Sequence, residues 1–310
     1  MRNLTIGINL WSQASPWPRF LAAARRVDEL GYASLWTWDH LHAIVGDPMQ
    51  PIFEAYATLG AWAQATSRVE LGLMVGANTF RNPGLVAKSV ATLDHISGGR
   101  AILGIGGAWF EYEHIAHGID FGSGFGQRLD WLDESVAAMR MLLDGGTVTS
   151  SAGGRYAFRD LRHLPLPQRR VPIMIGGVGR TKTLRTIARY GDRWNAFGTP
   201  DEVRELDGVL RAHCVAVGRD EAEIERTINL WMVIRDDAAE ARRVWEAQMV
   251  VNRATREPPY CVGTPEHVAA RLREYAAAGF ESVIVELPAP FDDETLVRLI
   301  GEVKPLAESA

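Results

Sequence analysis

An acid and an imidazole stand together at the end of a short apolar run. Residues 34–41 have the aromatic and apolar content of a buried strand, and the run ends in Asp39 and His40. In repeated β-α architectures, catalytic residues collect at the carboxyl ends of parallel strands. An imidazole beside a carboxylate exchanges protons near neutral pH, so we predict acid–base chemistry at His40.

A second group of candidate residues follows the fourth apolar run. Gly106 and Gly107 end that run, and Trp109, Glu111 and Glu113 come next. Glycine lets a flat ring or a phosphate approach the backbone closely, and the tryptophan would suit the wall of a ring-binding pocket. The alternative is a lid whose acidic side chains are simply solvated.

The turn after the fifth run has the composition of an anion site. It consists of Gly176, Gly177, Val178, Gly179 and Arg180, between a predicted strand and a predicted helix. Main-chain N–H groups at a helix start, with a cation beside them, bind phosphate. The spacing fits neither the P-loop nor the dinucleotide fingerprint, and a structural turn is the alternative.

The third run also ends in small residues. Met74, Val75 and Gly76 are followed by Asn78, a sequence that allows a planar ligand to lie against the backbone. Asn195 ends the sixth run and falls on the same predicted face. We therefore expect one ligand site made from several strand ends.

The scaffold that brings these strand ends together is predicted from the apolar pattern. Strand-like runs alternate with helical ones at a spacing of roughly 30 to 35 residues, which favours a parallel sheet with outer helices. The eight runs are 4–10, 34–41, 69–75, 101–105, 171–175, 192–197, 224–234 and 282–287. Eight runs predict an α/β fold, a closed (β/α)8 TIM barrel. Residues 107–165 interrupt the alternation and are expected to form an insertion after the fourth strand, with a hairpin over 147–158. We predict one domain over 1–310.

The composition limits the classes of function. The chain has 310 residues, 47% hydrophobic and 23% charged, which is typical of a globular protein. A net charge of −5 argues against nucleic acid as a partner, and no segment has the roughly 18 apolar residues needed to span a membrane. Cys214 and Cys261 are too few for a disulfide framework and lack metal-ligand spacing, so we predict no metal site. A cytoplasmic protein that binds a small molecule is the expectation.

Five segments, taken in order, resemble the bacterial luciferase-like family of flavin and deazaflavin oxidoreductases. They are LWTWDH at 35–40, GLMV at 72–75, GIGGAWFEYEH at 104–114, IGGVGRT at 175–181 and ARYGDRWN at 188–195. The resemblance covers essentially the whole chain and implies a TIM barrel that binds its cofactor at the carboxyl-terminal mouth. The first and third segments look most like the branch that uses the deazaflavin coenzyme F420.

Carried over to this sequence, the resemblance implies a role for each motif. The ring would lie against a bulge after the third strand, with a non-proline cis peptide near Met74 and Val75. Asp39 would bond the polar edge of the ring. The implied catalytic residues are His40, near the hydride-transfer face, and Glu111, near the pyrimidine end. The implied cofactor-binding residues are Asp39, Met74, Val75, Gly76, Asn78, Gly106, Gly107, Trp109, Glu113, Gly176, Gly177, Val178, Gly179 and Arg180, with the glycines of the last group at the phosphate.

One position departs from the family pattern. Sugar-phosphate dehydrogenases of the F420 branch carry a tryptophan four residues after the histidine, where this chain has Ile44. This argues against a sugar-phosphate substrate but leaves the cofactor implication in place. The resemblance implies an F420-dependent oxidoreductase acting on a small organic substrate, supplied by an F420 or flavin reductase and assembled as a homodimer. The alternatives are an FMN-dependent monooxygenase of a two-component system and a non-catalytic flavin- or deazaflavin-binding protein.

Overall fold

A parallel sheet surrounded by helices forms the centre of the protein. The computed structural model describes residues 4–150, 153–254 and 260–309. The strands are β1 (Thr5–Leu10), β2 (Ser34–Thr37), β3 (Glu70–Leu73), β4 (Gly76–Ala77), β5 (Leu103–Gly106), β6 (Ile173–Gly176), β7 (Arg193–Ala196), β8 (Glu225–Ile234), β9 (Tyr260–Gly263) and β10 (Ser282–Leu287). The α-helices are α1 (Trp17–Glu29), α2 (Ala55–Ala65), α3 (Pro83–Ser97), α4 (Glu111–His117), α5 (Phe125–Leu143), α6 (Thr183–Tyr190), α7 (Pro200–Val217), α8 (Ala238–Val251), α9 (Pro265–Ala277), α10 (Asp293–Arg298) and α11 (Lys304–Glu308). A 3₁₀ turn at Glu221–Glu223 precedes β8, and a π-helical segment at Leu299–Val303 joins α10 to α11.

The sheet closes on itself. The strand order is β3-β2-β1-β10-β8-β7-β6-β5-β4, and the paired strands run parallel. A parallel bridge between Leu71 and Ala101 joins β3 to the residues just before β5. Since β3 and β4 together occupy the third position of the barrel and β9 lies outside it, the barrel has eight strand positions. The predicted (β/α)8 TIM barrel is confirmed.

The third predicted strand is divided by a backbone feature. The peptide bond between Met74 and Val75 is cis, at the position that the family resemblance implies. β3 pairs with β2 before this bond, and β4 pairs with β5 after it. The predicted strand 69–75 is therefore shorter than expected: β3 ends at Leu73, Met74 and Val75 form a bulge, and the second strand, β4, begins after the predicted range.

Other parts of the prediction also need correction. β9 pairs with the outer half of β8, outside the eight barrel positions, and was not predicted. Within the predicted insertion, α5 packs against α3 and α6 and takes the place of a regular outer helix. The additional material is thus α4 with its flanking loops. The predicted hairpin is represented by an antiparallel bridge between Val148 and Leu161, while 151–152 lie outside the described residues.

The barrel interior is filled by large side chains from several strands. Trp36, Met74, Ile102, Met174 and Ile284 form one buried cluster there. The chain needs glycine at position 72, in β3, because an added Cβ would lie 2.4 Å from the indole of Trp36. This packing supports the site residues at the carboxyl ends of the same strands.

The helix that follows the bulge begins at a defined place. Asn82 caps α3 by accepting a hydrogen bond from the N–H of Gly84 at 2.8 Å, and Pro83 occupies the first turn. These signals fix the length of the loop between β4 and α3. None of the helices that the structure describes has the length and apolar character required to cross a membrane.

Candidate functional site

A cavity of about 560 Å³ opens at the carboxyl ends of the barrel strands. Its size is within the usual range for a cofactor or substrate pocket. The sequence-predicted residues on its wall are Asp39, His40, Met74, Val75, Gly76, Gly106, Gly107, Trp109, Glu113, Gly176, Gly177, Val178 and Gly179. Asn195, expected on the same face, also lines it. The wall contains further residues that the sequence did not assign to the site, among them Trp38, Ile44, Phe125, Leu129, Thr183, Phe197, Asn229 and Glu286.

The bulge between β3 and β4 forms one wall. A Cβ on Gly104 would lie 1.7 Å from the carbonyl oxygen of Leu73, so only glycine lets β5 pass this close. A Cβ on Gly106 would lie 2.7 Å from Val75 Cγ2, and one on Gly176 would lie 3.0 Å from the same methyl group. These glycines first make room for the bulge itself. The bulge then presents Val75 as an apolar surface against which a flat ring could pack.

Asp39 holds the bulge in place. Its buried carboxylate accepts hydrogen bonds from the Ala77 N–H at 2.9 Å and from both terminal nitrogens of Arg81, at 2.7 and 3.0 Å. Arg81 also donates to Glu54 at 2.7 Å. Burial alone would lower the pKa of Arg81, but the charge of Asp39 and its hydrogen bonds raise it. The guanidinium and carboxylate therefore form a fixed ion pair behind the pocket wall.

His40 forms a dyad with Glu113. The imidazole Nδ1 lies 2.8 Å from Glu113 Oε1, and the other carboxylate oxygen accepts the Leu41 N–H at 2.8 Å. Glu113 is 1% exposed and His40 is 13% exposed, so the pair is shielded from water. Within the described part of the chain, Nε2 of His40 has no hydrogen-bond partner. With Glu113 ionised, Nδ1 carries the proton and Nε2 is the acceptor that a ligand in the cavity can reach.

The short helix α4 carries Glu113 to this position. His114, next to it, is fully buried, with Nε2 at 2.6 Å from Thr79 Oγ1 and Nδ1 at 2.8 Å from the Phe110 carbonyl oxygen. Burial lowers the pKa of His114, so this imidazole is neutral and serves as a structural link. The link ties α4 to the loop after β4, and so ties the acid of the dyad to the bulge.

The glycine turn after β6 offers free donors. Gly177 donates its N–H to the Asn195 carbonyl oxygen at 3.0 Å, but the N–H groups of Val178, Gly179 and Arg180 make no hydrogen bond to any described residue. A Cβ on Gly179 would lie 2.6 Å from Thr183 Oγ1, so glycine is required for the turn to pack on α6. Three unused donors next to a helix start suit a phosphate group.

A partly buried glutamate, Glu286, is absent from the sequence prediction and lines the cavity. Glu286 Oε2 accepts the Asn9 Nδ2–H at 2.7 Å and the Trp11 Nε1–H at 2.6 Å, and Oε1 accepts the Asn229 Nδ2–H at 3.4 Å. The side chain of Trp38 is a further hydrogen-bond donor to this carboxyl group. Burial, partly offset by these hydrogen bonds, raises the pKa of Glu286 to about 7. The sequence does contain a signal for Glu286, because it is the one charged residue in the mainly apolar strand β10.

The mouth of the cavity is aromatic. Trp109, Phe125 and Phe197 are each half exposed or more, and all three line the opening. Ile44 and Trp38 continue the apolar surface inward. Among the described residues, none of the side chains on the cavity wall is a lysine or an arginine.

Three sequence-predicted site residues do not reach the cavity wall. Glu111 is exposed at the start of α4. Asn78 is buried behind the wall, and its Nδ2 has no hydrogen-bond partner among the described residues. Arg180 is exposed and pairs with Glu205 at 2.9 Å. Their roles stay predictions, and the arrangement gives Glu113 rather than Glu111 the place beside His40.

Comparison with known proteins identifies relatives over most of the chain. The family model described as luciferase-like monooxygenase matches residues 4–259. An F420-dependent glucose-6-phosphate dehydrogenase of Kineococcus radiotolerans is 30% identical, with 91% of each chain covered. Among solved structures, an F420-dependent secondary alcohol dehydrogenase in complex with an F420-acetone adduct superposes with a TM-score of 0.83, at 23% identity over 99% of both chains. The monooxygenase RslO1 from Streptomyces bottropensis superposes with a TM-score of 0.81, at 22% identity over 97% of this chain and 99% of its own.

Proposed function

The chain belongs to the luciferase-like monooxygenase family, and we propose that it is an F420-dependent oxidoreductase acting on a small organic substrate. The observation that carries this proposal is the His40–Glu113 dyad beside a cavity lined by a bulge and a glycine turn. The relative from Kineococcus, which spans nearly the whole chain and is named for its F420 dependence, supports the choice of cofactor.

The cavity has features that fit such a cofactor. Val75 provides an apolar surface, and the unused N–H groups of Val178, Gly179 and Arg180 provide donors for a phosphate. When bound, F420 would supply or accept a hydride at C5 of its deazaflavin ring. The ion pair of Asp39 and Arg81 keeps the bulge in place, so that the wall for the ring is preorganised.

In this proposal, His40 is the general base and general acid for the proton that accompanies hydride transfer. Its Nε2 takes a proton from a substrate hydroxyl in the oxidative direction and returns it in the reductive direction. Glu113 fixes the imidazole orientation and stabilises the imidazolium while it carries the extra proton. The aromatic residues at the mouth exclude water from the reacting atoms.

The test is a titration of the purified apoprotein with F420 and, separately, with FMN. Ring fluorescence reports binding, and we expect F420 to bind at least tenfold more tightly. A second measurement follows hydride exchange between F420 and a panel of alcohols and ketones. Tight binding without exchange on any of them would favour the non-catalytic alternative over the proposal.

A flavin-dependent monooxygenase is the second candidate. It is favoured by the description of the matching family model and by the shared fold of the RslO1 monooxygenase. This candidate requires preferential binding of reduced FMN and substrate-dependent consumption of oxygen. If FMN binds more tightly than F420 and oxygen is consumed, the F420 proposal is wrong.

A further inference from the structure

The short helix α4 carries the acid of the dyad and, next to it, a second buried polar side chain, His114. We propose that Thr79 and His114 form a positioning pair, in which the Thr79 hydroxyl acts through His114 to keep Glu113 in place beside His40. Thr79 is not among the described residues of the cavity wall, so its effect on the site is indirect. This inference deepens the proposed function, on which the role of His40 in the reaction rests.

The helix α4 depends on contacts with the barrel for its position. A helix of seven residues is too short to be stable by its own hydrogen bonds. Five of these residues are exposed, and the two buried ones are Glu113 and His114. The N-cap residue, Phe110, makes no side-chain capping hydrogen bond. Since neither buried side chain is apolar, the buried attachment of α4 consists of two polar side chains.

Glu113 attaches α4 to the segment after β2. One carboxylate oxygen lies 2.8 Å from His40 Nδ1, and the other accepts the Leu41 N–H at 2.8 Å. A glutamate side chain has several rotatable bonds, so this attachment fixes one point of the helix but not its rotation. A second attachment is required before Glu113 has one defined orientation toward the imidazole.

His114 provides the second attachment. Its neutral imidazole donates the Nδ1–H to the Phe110 carbonyl oxygen at 2.8 Å, so Nε2 accepts the hydroxyl hydrogen of Thr79, at 2.6 Å. The ring packs against Phe80 and Phe121, with centroid distances of 4.9 and 4.5 Å. Thr79 and His114 are both buried, so water does not replace their hydrogen bond when it is lost. The loop after β4 thus determines the rotation of α4.

Three segments of the site form a closed set of contacts. Asp39, the residue before His40, accepts the Ala77 N–H of the strand that follows the bulge, at 2.9 Å. Thr79, two residues further on, contacts α4, and Glu113 of α4 contacts His40. Because each segment contacts the other two, a displacement at Thr79 changes the contact between Glu113 and His40. The pair therefore maintains the position of the dyad relative to the bulge.

The first test needs neither cofactor nor substrate. Thr79→Val keeps the shape of the side chain and removes the hydroxyl donor. Hydrogen exchange of single amides in the apoprotein, followed by nuclear magnetic resonance, reports the attachment of α4 through the Leu41 N–H, which Glu113 accepts. This amide should exchange about tenfold faster or more in Thr79→Val, whereas the Ala77 N–H, which Asp39 accepts, should stay within about threefold.

Two matched variants separate the hydroxyl group from the rest of the side chain. Thr79→Ser restores the donor and should return the Leu41 exchange rate to within about threefold of wild type. Thr92→Val, the same change at an exposed position of α3, should leave that rate unaltered. Unaltered Leu41 exchange in Thr79→Val, equal acceleration at Leu41 and Ala77, or equal rates in Thr79→Ser and Thr79→Val would each overturn the proposal.

His114→Phe is a second variant, which decides the question if Thr79→Val does not fold. It keeps an aromatic ring against Phe80 and Phe121 and loses both hydrogen bonds of the imidazole. The Leu41 N–H should again exchange about tenfold faster or more. A Leu41 exchange rate equal to that of wild type would show that α4 keeps its place without the pair, and the proposal would be wrong.

The second test uses the holoenzyme and separates turnover from binding. With F420 bound, Thr79→Val should lower kcat about tenfold and leave the Kd for F420 within about threefold, and Thr79→Ser should recover kcat. A weaker Kd with an unchanged kcat, or no recovery in Thr79→Ser, would refute the positioning role. If F420 does not bind at all, the proposed function is wrong, while the exchange rates of the apoprotein still decide whether Thr79 and His114 position α4.

Discussion

Replacement of Glu286 by glutamine should make the protein less sensitive to alkaline pH. The folded protein keeps a proton on Glu286 up to a pKa of about 7, whereas the ordinary value is 4.5. Between these values the folded state binds more protons than the unfolded chain, so the free energy of unfolding falls as pH rises. Below about pH 4.5 both states are protonated and the contribution vanishes.

The size of the effect follows from the two pKa values. Integrating the proton linkage with 4.5 for the unfolded chain and about 7 for the folded protein gives a loss of about 2.5 kcal/mol between pH 5 and pH 8. Glutamine does not ionise, and its carbonyl oxygen can still accept from Asn9 and Trp11. The difference in unfolding free energy, variant minus wild type, should therefore increase by about 2.5 kcal/mol over this range.

Urea unfolding at half-unit pH intervals, followed by far-ultraviolet circular dichroism, measures this difference. Glu281→Gln is the control, and its curve should parallel the wild type because that side chain is exposed. The absolute stability of Glu286→Gln at one pH also contains packing effects, so only the slope of the difference tests the argument. Parallel wild-type and Glu286→Gln curves from pH 5 to pH 8 would show that Glu286 is ionised throughout, contrary to the reasoning.

Three further predictions concern the dyad and the bulge. His40→Ala should lower kcat by about 10² to 10⁴ and leave the Kd for the ring cofactor within about threefold; an unchanged kcat would remove the proton-transfer role. Glu113→Gln keeps a hydrogen-bond acceptor for Nδ1 but loses the counter-charge of the imidazolium, so kcat should fall about tenfold or more with an altered pH–rate profile, and an identical profile would argue against the dyad. Gly104→Ala should destabilise by about 3 kcal/mol or more in urea unfolding, because its Cβ would collide with a backbone carbonyl oxygen, whereas Gly208→Ala, in the middle of α7 with open space around it, should stabilise by about 0.5 to 1 kcal/mol. Equal effects at the two glycines would contradict the account of the bulge.

The barrel could be predicted because its pattern is local. Each strand is a short apolar run followed by a helical period, and eight such runs predict the closed sheet that is found. The strand β9 escaped prediction because it is short and lies directly before the Thr264 cap of α9. Its pairing with β8 depends on the tertiary structure, and the sequence of β9 has no apolar periodicity that would predict it.

Site residues were predictable where they follow a strand end, and His40, Val75 and Gly177 all reach the cavity wall. The prediction was less specific along α4. Glu111 and Glu113 are two residues apart, so on a helix they face different directions, and their spacing alone does not say which one meets His40. The hydrogen bond between His114 and Thr79 sets which face of α4 points toward His40. This contact joins the insertion to the loop after β4, so it could not be read from the spacing within α4.

The neighbours of Glu286 come together only when the barrel closes. No local sequence pattern could therefore predict them. Asn9 and Glu286 are at opposite ends of the chain and become neighbours because β1 and β10 pair in the register Asn9 to Glu286. The cavity thereby receives two carboxyl groups with different partners, of which Glu113 is buried and Glu286 is partly buried. Glu113 accepts a backbone N–H and lies beside an imidazole that can become cationic, whereas Glu286 accepts hydrogen bonds from neutral side chains and has no described cation beside it. Two acids in contrasting surroundings can have different roles in one site, and Glu113, beside His40, is the one placed to support proton transfer. If Glu113 supports proton transfer through His40, Glu113→Gln should change kcat far more than it changes the Kd for the ring cofactor.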